Sequence, residues 1–138
     1  MARNNYNIVY SCNYHIVWCT KYRKKLFVNP FDIHLKRILH TSAREYRCTI
    51  LELEVMPDHV HLLVEVDPQF GVARLIKLMK GRSSHAMRDL FPVLKKVKTL
   101  WTNSYYISTV GGAPLEIVKK YIRNQKYAAS KKTFYRKK

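Results

Sequence analysis

Acidic residues are scarce in this chain: nine Asp and Glu stand against 26 Lys and Arg, a formal net charge of +17 over 138 residues. So small an acid complement points to a polyanionic partner, either nucleic acid or an anionic membrane surface. Long apolar runs are also missing. None approaches the roughly 18–20 residues of a membrane span, and Met1-Ala2-Arg3-Asn4-Asn5-Tyr6 has neither the apolar stretch nor the cleavage site of a signal peptide. A cytoplasmic location and no membrane partner are expected. Cysteine is sparse, with only Cys12, Cys19 and Cys48 and no Cys-x-x-Cys pair. Reduced, largely buried thiols are expected, not disulfides or a zinc site. No Gly-x-x-x-x-Gly-Lys loop is found, so no nucleotide cofactor is expected. What is present is 47% hydrophobic and 12% aromatic residues, enough for a folded core.

The few acids cluster. Glu52, Glu54, Asp58, Glu65 and Asp67 crowd around Asp58-His59-Val60-His61-Leu62-Leu63-Val64-Glu65-Val66, while nine Lys and Arg and no acid lie between Lys119 and Lys138. The run alternates like a strand, so His59 and His61 project side by side while Val60, Leu62, Val64 and Val66 fill the buried face. Two parallel imidazoles on a rigid strand can grip a divalent cation. Isolated His-x-His pairs are also common on surfaces, and Glu52 and Glu54 can equally be solvating an edge strand.

The rest of the chain sets the fold. Val9 to Cys19 alternates as a half-buried strand, with Ser11, Asn13 and His15 on its polar face. A basic connection, Lys21-Tyr22-Arg23-Lys24-Lys25, follows. Pro30 opens a helix with Ile33, Leu35, Ile38, Leu39, Ala43 and Tyr46 as apolar positions. Ile50 to Met56 alternates with Leu51, Leu53 and Val55 inward, and Met56-Pro57-Asp58 turns it into the histidine strand as an antiparallel hairpin. Phe70 to Phe91 carries one apolar helical stripe: Val72, Leu75, Ile76, Met79, Ser83, Ala86, Met87 and Leu90. Its opposite face holds Arg74, Lys77, Gly81, His85 and Arg88, flanked by Lys80 and Arg82. Leu100 to Val110 reads as a fourth strand. After Gly111-Gly112, a last helix starts at Ala113-Pro114. The order β-α-β-β-α-β with a final helix predicts an α+β, ferredoxin-like (RRM-like) sandwich. Its four-stranded antiparallel sheet carries helices on one face, plus the C-terminal helix. One domain is expected over residues 1–138, with a core at 8–110, the last helix at about 114–128 and a basic tail at 129–138.

On that last helix Tyr121 and Gln125 are four apart and share a face, while Ile117, Val118 and Ile122 form the docking side. A tyrosine there can simply be rim or core. It can also be a nucleophile, provided a metal or base takes up the phenolic proton. A cation on His59 and His61 could polarise a phosphate, and the Gln125 side-chain oxygen could complete its coordination. Lys21, Arg23 and Lys24, with Arg74, Lys77, Lys80 and Arg82, are the candidate phosphate contacts, and Tyr22 among them suits an unpaired base.

Several segments together carry a resemblance: Asp58-His59-Val60-His61, Tyr14-His15-Ile16-Val17-Trp18-Cys19-Thr20-Lys21-Tyr22-Arg23, Lys80-Gly81-Arg82-Ser83-Ser84 and Leu100-Trp101-Thr102-Asn103-Ser104-Tyr105. With them goes Ser108-Thr109-Val110-Gly111-Gly112-Ala113-Pro114 leading to Tyr121-Ile122-Arg123-Asn124-Gln125. From about residue 8 to 127 the chain resembles the small single-tyrosine HUH transposases of the IS-two-hundred/IS-six-hundred-and-five insertion-sequence family. The resemblance implies a transposase that cleaves and rejoins single-stranded DNA at hairpin-marked element ends through a 5′-phosphotyrosine, with those basic residues as its DNA contacts. It implies Mg²⁺ or Mn²⁺ on His59, His61 and Gln125, Tyr121 as nucleophile, and a homodimer in which the tyrosine helix of one subunit completes the other's site. Gly111-Gly112 then supplies a permissive backbone for a swinging helix, or merely a tight turn. Two alternatives remain: a non-catalytic single-stranded nucleic-acid binder, although no RNP-type aromatic motif is found, and a related HUH nickase or domesticated repeat-palindrome-processing protein.

Overall fold

The computed structural model describes residues 3–4, 9–111, 117 and 119–124. Two short strands, β1 (Arg3–Asn4) and β2 (Val9–Tyr10), pair antiparallel ahead of the main sheet. There follow β3 (Asn13–Cys19), α1 (Phe31–Ala43), β4 (Cys48–Val55), β5 (His59–Val66), α2 (Val72–Leu90) and β6 (Tyr106–Thr109). The sheet runs β4-β5-β3-β6 with every neighbouring pair antiparallel. This is the ferredoxin-like order expected from the sequence.

Alternation decides which side chains meet the helices. Ile16 and Trp18 of β3 and Val60, Leu62, Val64 and Val66 of β5 are buried in one cluster with Leu35 and Leu39 of α1 and Leu75, Ile76, Met79 and Met87 of α2. Each such side chain contributes about 1.5–3 kcal/mol on full burial. The opposite sheet face is thereby left for other work. Gly71, at the entry to α2, has φ +91°, a left-handed conformation that other residues reach only with strain.

Several expectations need correction. Ile117, expected on the docking side of the last helix, is 63% exposed, Leu90 at the end of the α2 stripe is half exposed, and the three thiols are only partly buried. The strand expected from Val9 to Cys19 is divided, with residues 11–12 between β2 and β3. Ile33 faces outward, half exposed, because Leu35, Leu39, Ser42 and Ala43 form the buried stripe of α1. In β4, Ile50 pairs with Val64 and Glu52 with Leu63, so Leu51 is the extra residue of a bulge and not an inward position. The fourth strand is only Tyr106–Thr109. Before it, Trp101 enters the core and forms an isolated bridge to Thr20, and the Thr102 hydroxyl donates to the Ser104 carbonyl at 3.2 Å. Such side-chain-to-backbone bonds compete with ladder pairing. Residues 117 and 119–124 are helical. The expected helix start at Ala113-Pro114, Gly112, Gln125 and the basic tail lie outside the described residues. Among the described residues no helix is long and apolar enough to cross a membrane.

Candidate active site

His59 and His61 leave β5 on the face away from α1 and α2, in register with Cys19 and Val17 of β3 and, for His61, with Glu54 of β4. Their Nε2 atoms are 3.2 Å apart. Asp58, in the hairpin turn, meets His59 Nδ1 with Oδ1 at 2.6 Å and accepts from Arg23 Nε with Oδ2 at 3.0 Å. Burial alone would raise the Asp58 carboxyl, but the hydrogen bonds from His59 and Arg23 overcome it and hold the group below the usual carboxylate range. A carboxylate can only accept, so Nδ1 of His59 carries a hydrogen and, in the neutral ring, Nε2 keeps the lone pair. The left-handed backbone at Tyr22 (φ 60°) and Arg23 (φ 55°) belongs to the tight turn from which Arg23 reaches Asp58.

On its other side His61 meets a third imidazole. His15 Nε2 lies 3.1 Å from His61 Nδ1, and the ring planes are within 14° of each other. His61 is buried, and that burial, together with the charges His59 and His15 would carry, pushes its pKa down to about 4. Burial lowers His15 as well. Neutral imidazole is the metal-binding form.

The donor set fits a divalent cation. An octahedral ion with ligands at about 2.0–2.1 Å holds neighbouring donors about 2.9 Å apart, close to the 3.2 Å between the two Nε2 atoms. The Asp58–His59 bond is the carboxylate–histidine support typical of ligating histidines. Two protein ligands alone leave positions for substrate oxygen. Among the described residues no group of three or more His, Cys, Asp or Glu converges on one point, and His15 presents its nitrogen to His61 Nδ1, behind the ligand pair.

The tyrosine half is held differently. Ile122 is fully buried, and Arg123 Nε pairs with Glu52 Oε1 of β4 at 3.2 Å, so residues 119–124 rest on their own sheet. Leu63, the Glu52 partner in β5, is also fully buried and, like Ile122, stands apart from the helix-side core. Tyr121 is 55% exposed. Glu54 takes Lys36 Nζ at 3.4 Å. Both glutamates therefore hold elements together as well as facing water.

The seven basic candidates divide. Lys24, Arg74 and Lys77 are exposed, with Arg74 stacked over Phe70 at 4.3 Å. Lys21 lies over the Tyr22 ring at 5.3 Å, and that ring is 80% exposed. Arg23 is committed to Asp58, and Arg82 pairs with Glu45 at 2.9 Å. Lys80 is half-buried, donating to the carbonyls of Thr102 at 2.6 Å and Ser104 at 3.3 Å. Burial lowers its pKa. Lys77 and Lys80 line a groove of about 610 Å³ between α2 and residues 98–105, joined there by Arg88, Lys98, Asn103 and Tyr105. Lys98, Asn103, Asp58 and His15 were not singled out as site residues from the sequence. The nearest signal was a ring nitrogen on the polar face of the central strand, at His15.

Comparison with known proteins gives the family and the fold. The family described as "Transposase IS200 like" matches residues 8–125. The ISDra2 transposase TnpA of Deinococcus radiodurans is 38% identical over 120 residues, covering 85% of this chain and 86% of that protein. The transposase for insertion sequence element IS200 of Salmonella typhimurium is 33% identical over 119 residues, covering 84% and 78%. A solved D. radiodurans structure, described as that of a transposase candidate, superposes with a TM-score of 0.74 at 36% identity, covering 89% of this chain and 97% of that one. A tyrosine transposase bound to a REP hairpin shares the fold, with a TM-score of 0.60 at 12% identity, over 88% of this chain and 68% of its own.

Proposed function

Because the chain belongs to the IS200-like transposase family, we propose that it cuts and rejoins single-stranded DNA at the ends of an insertion sequence, with Tyr121 as nucleophile. The observation that carries the reading is the His59–His61 pair, whose Nε2 atoms face each other at 3.2 Å on a rigid strand. Mg²⁺ or Mn²⁺ held there would polarise the scissile phosphate and offset charge developing in the transition state. His59 and His61 would hold the ion through Nε2, with Gln125 as the proposed third protein ligand. Asp58 keeps His59 turned with its lone pair outward. The Tyr121 phenolic oxygen attacks phosphorus in line, and its proton passes by way of solvent to the departing 3′ oxygen. The bond to the 3′ oxygen breaks, leaving a 5′-phosphotyrosine and a 3′-hydroxyl. That hydroxyl then attacks a second phosphotyrosine and returns the phenol. Each phosphodiester exchanged is replaced by an ester of similar energy, so no nucleotide cofactor is needed.

Hairpin-bearing single-stranded DNA is the proposed partner, supported by the +17 charge and by the basic groove beside α2. A homodimer with shared sites is proposed with it. The own-sheet position of residues 119–124 is then a resting state. The test is incubation with single-stranded DNA from the ends of the chain's own element, with and without Mg²⁺, scored on a denaturing gel. A covalent adduct is expected with wild type and none with Tyr121→Phe. An adduct that survives Tyr121→Phe would remove the nucleophile assignment.

A further inference from the structure

We propose that His15 is a positioning residue for the cation site: its Nε2 accepts the Nδ1–H of His61 and so turns the lone pair of His61 Nε2 towards the ion. The inference rests on the cation reading of His59 and His61. The rings of His15 and His61 have centroids 5.4 Å apart, the greatest separation that a 3.1 Å nitrogen pair allows. The two nitrogens therefore lie on the line joining the rings, which meet edge to edge. That is hydrogen-bond geometry, with the donor along the acceptor's lone pair.

The hydrogens in this row can run in two directions. Asp58 fixes His59 with hydrogen on Nδ1 and a bare Nε2. In one direction His61 donates from Nε2 to His59 and accepts at Nδ1 from His15. Both nitrogens of His59 and of His61 are then satisfied within the protein, and neither ring offers a lone pair to an ion. In the other, His61 donates from Nδ1 to His15, and two bare Nε2 atoms face each other at 3.2 Å. A cation between them satisfies that arrangement. His15 supplies the acceptor it requires. Without that acceptor, the ion-binding tautomer of His61 leaves a buried N–H unpaired, whereas the first direction keeps its His61-to-His59 bond. The backbone fixes His15 where that acceptor is needed, because β3 is an interior strand and His15 is in register with Leu63 of β5 and Ser108 of β6.

The test is Mn²⁺ titration of the full chain followed by electron paramagnetic resonance of the free ion, with thermal melting in EDTA as the folding control. His15→Phe keeps ring volume and removes the nitrogen. It should weaken Mn²⁺ binding about 10–100-fold, the usual loss for an outer partner of a ligating histidine, while the metal-free protein keeps a single cooperative melt, lowered only by the loss of one hydrogen bond. His15→Gln, which can accept through its amide oxygen, should recover part of the affinity. Unchanged Mn²⁺ affinity in His15→Phe makes His15 a packing residue and overturns the proposal. Equal binding by wild type and His61→Ala overturns the cation reading itself, and the His15 role with it. Imidazole ¹⁵N shifts of the Mg²⁺-saturated wild type give a reading that needs no variant. Hydrogen is expected on His61 Nδ1 and none on His15 Nε2; hydrogen found on His15 Nε2 overturns the proposal.

Discussion

The two halves of the candidate site are anchored in contrasting ways. The histidine half is a row of polar contacts built into the sheet: Arg23 to Asp58 at 3.0 Å, Asp58 to His59 at 2.6 Å, His59 to His61 at 3.2 Å and His61 to His15 at 3.1 Å. Three of these five residues sit on paired strands, whose register fixes them before any ligand arrives. In the tyrosine half, Ile122 is buried and Arg123 pairs with Glu52 across to β4, so a helical segment and not a strand ladder carries Tyr121. Preorganised ligands suit a half that must hold an ion in one geometry. A helix docked on the sheet and not hydrogen-bonded into its ladder suits the proposed nucleophile, which would carry a DNA strand from one partner to the next.

The sharpest way to break this comparison is to separate the halves genetically. His61→Ala and Tyr121→Phe should each be inactive alone, with no adduct detectable. Mixed as dimers, they should recover adduct formation if the tyrosine acts on its partner's histidines, and the adduct should sit on the His61→Ala chain, which retains Tyr121. No recovery would mean that the own-sheet position of residues 119–124 is also the working one. The whole signal is at stake, so this is the largest effect expected.

Acid should act on the histidine half next. The pKa of His61 is lowered from 6.5 to about 4, so the unfolded chain takes up a proton there before the folded one does. Stability is therefore full above about 6.5 and falls as pH drops towards 4, by up to about 3 kcal/mol, less whatever water at the site edge screens. The Asp58 carboxyl, held below its ordinary 3.8, loses its contribution only under that value. Denaturant titrations in EDTA at pH 7 and pH 4.5 should show the loss in wild type, and His61→Gln should flatten it. An equal loss in the variant would place the pH sensitivity elsewhere.

How much of this was legible beforehand follows the same divide. Val60, Leu62, Val64 and Val66 opposite His59 and His61, and the hairpin through Met56-Pro57-Asp58, are local period-two patterns, and the structure reproduces them. Leu51 and Ile33 were misplaced because a bulge and a shifted helical stripe change phase without a compositional mark. Overextension of the fourth strand had another cause: β propensity in Trp101 and Tyr105 does not register that Thr102 and Ser104 bond locally and that Lys80 occupies their carbonyls. The His15 contact with His61 spans 46 residues and arises from β3–β5 pairing. Nothing local to His15 announces it. Of the basic candidates, Arg23, Lys80 and Arg82 were chosen for charge, and charge alone does not reveal that a neighbour already holds them.

The smallest expected effect tests the tyrosine half directly. Glu52→Gln removes the charge that meets Arg123, whose side chain is half exposed, so the pair is worth under about 1 kcal/mol. The global melting temperature should scarcely move, because β4 keeps its ladder to β5 and its Leu53 and Val55 in the core. Trypsin should nevertheless cut after Lys119 and Lys120 several-fold faster, on the order of the change that a loss of about 1 kcal/mol in local docking produces. A large fall in melting temperature would mean that the segment is part of the main cooperative unit, and unchanged cleavage would mean that contacts other than the Arg123–Glu52 pair hold it. Faster cleavage with an unmoved melt would show that Tyr121, the proposed nucleophile, rides on an element whose stability is separate from the sheet that holds His59 and His61.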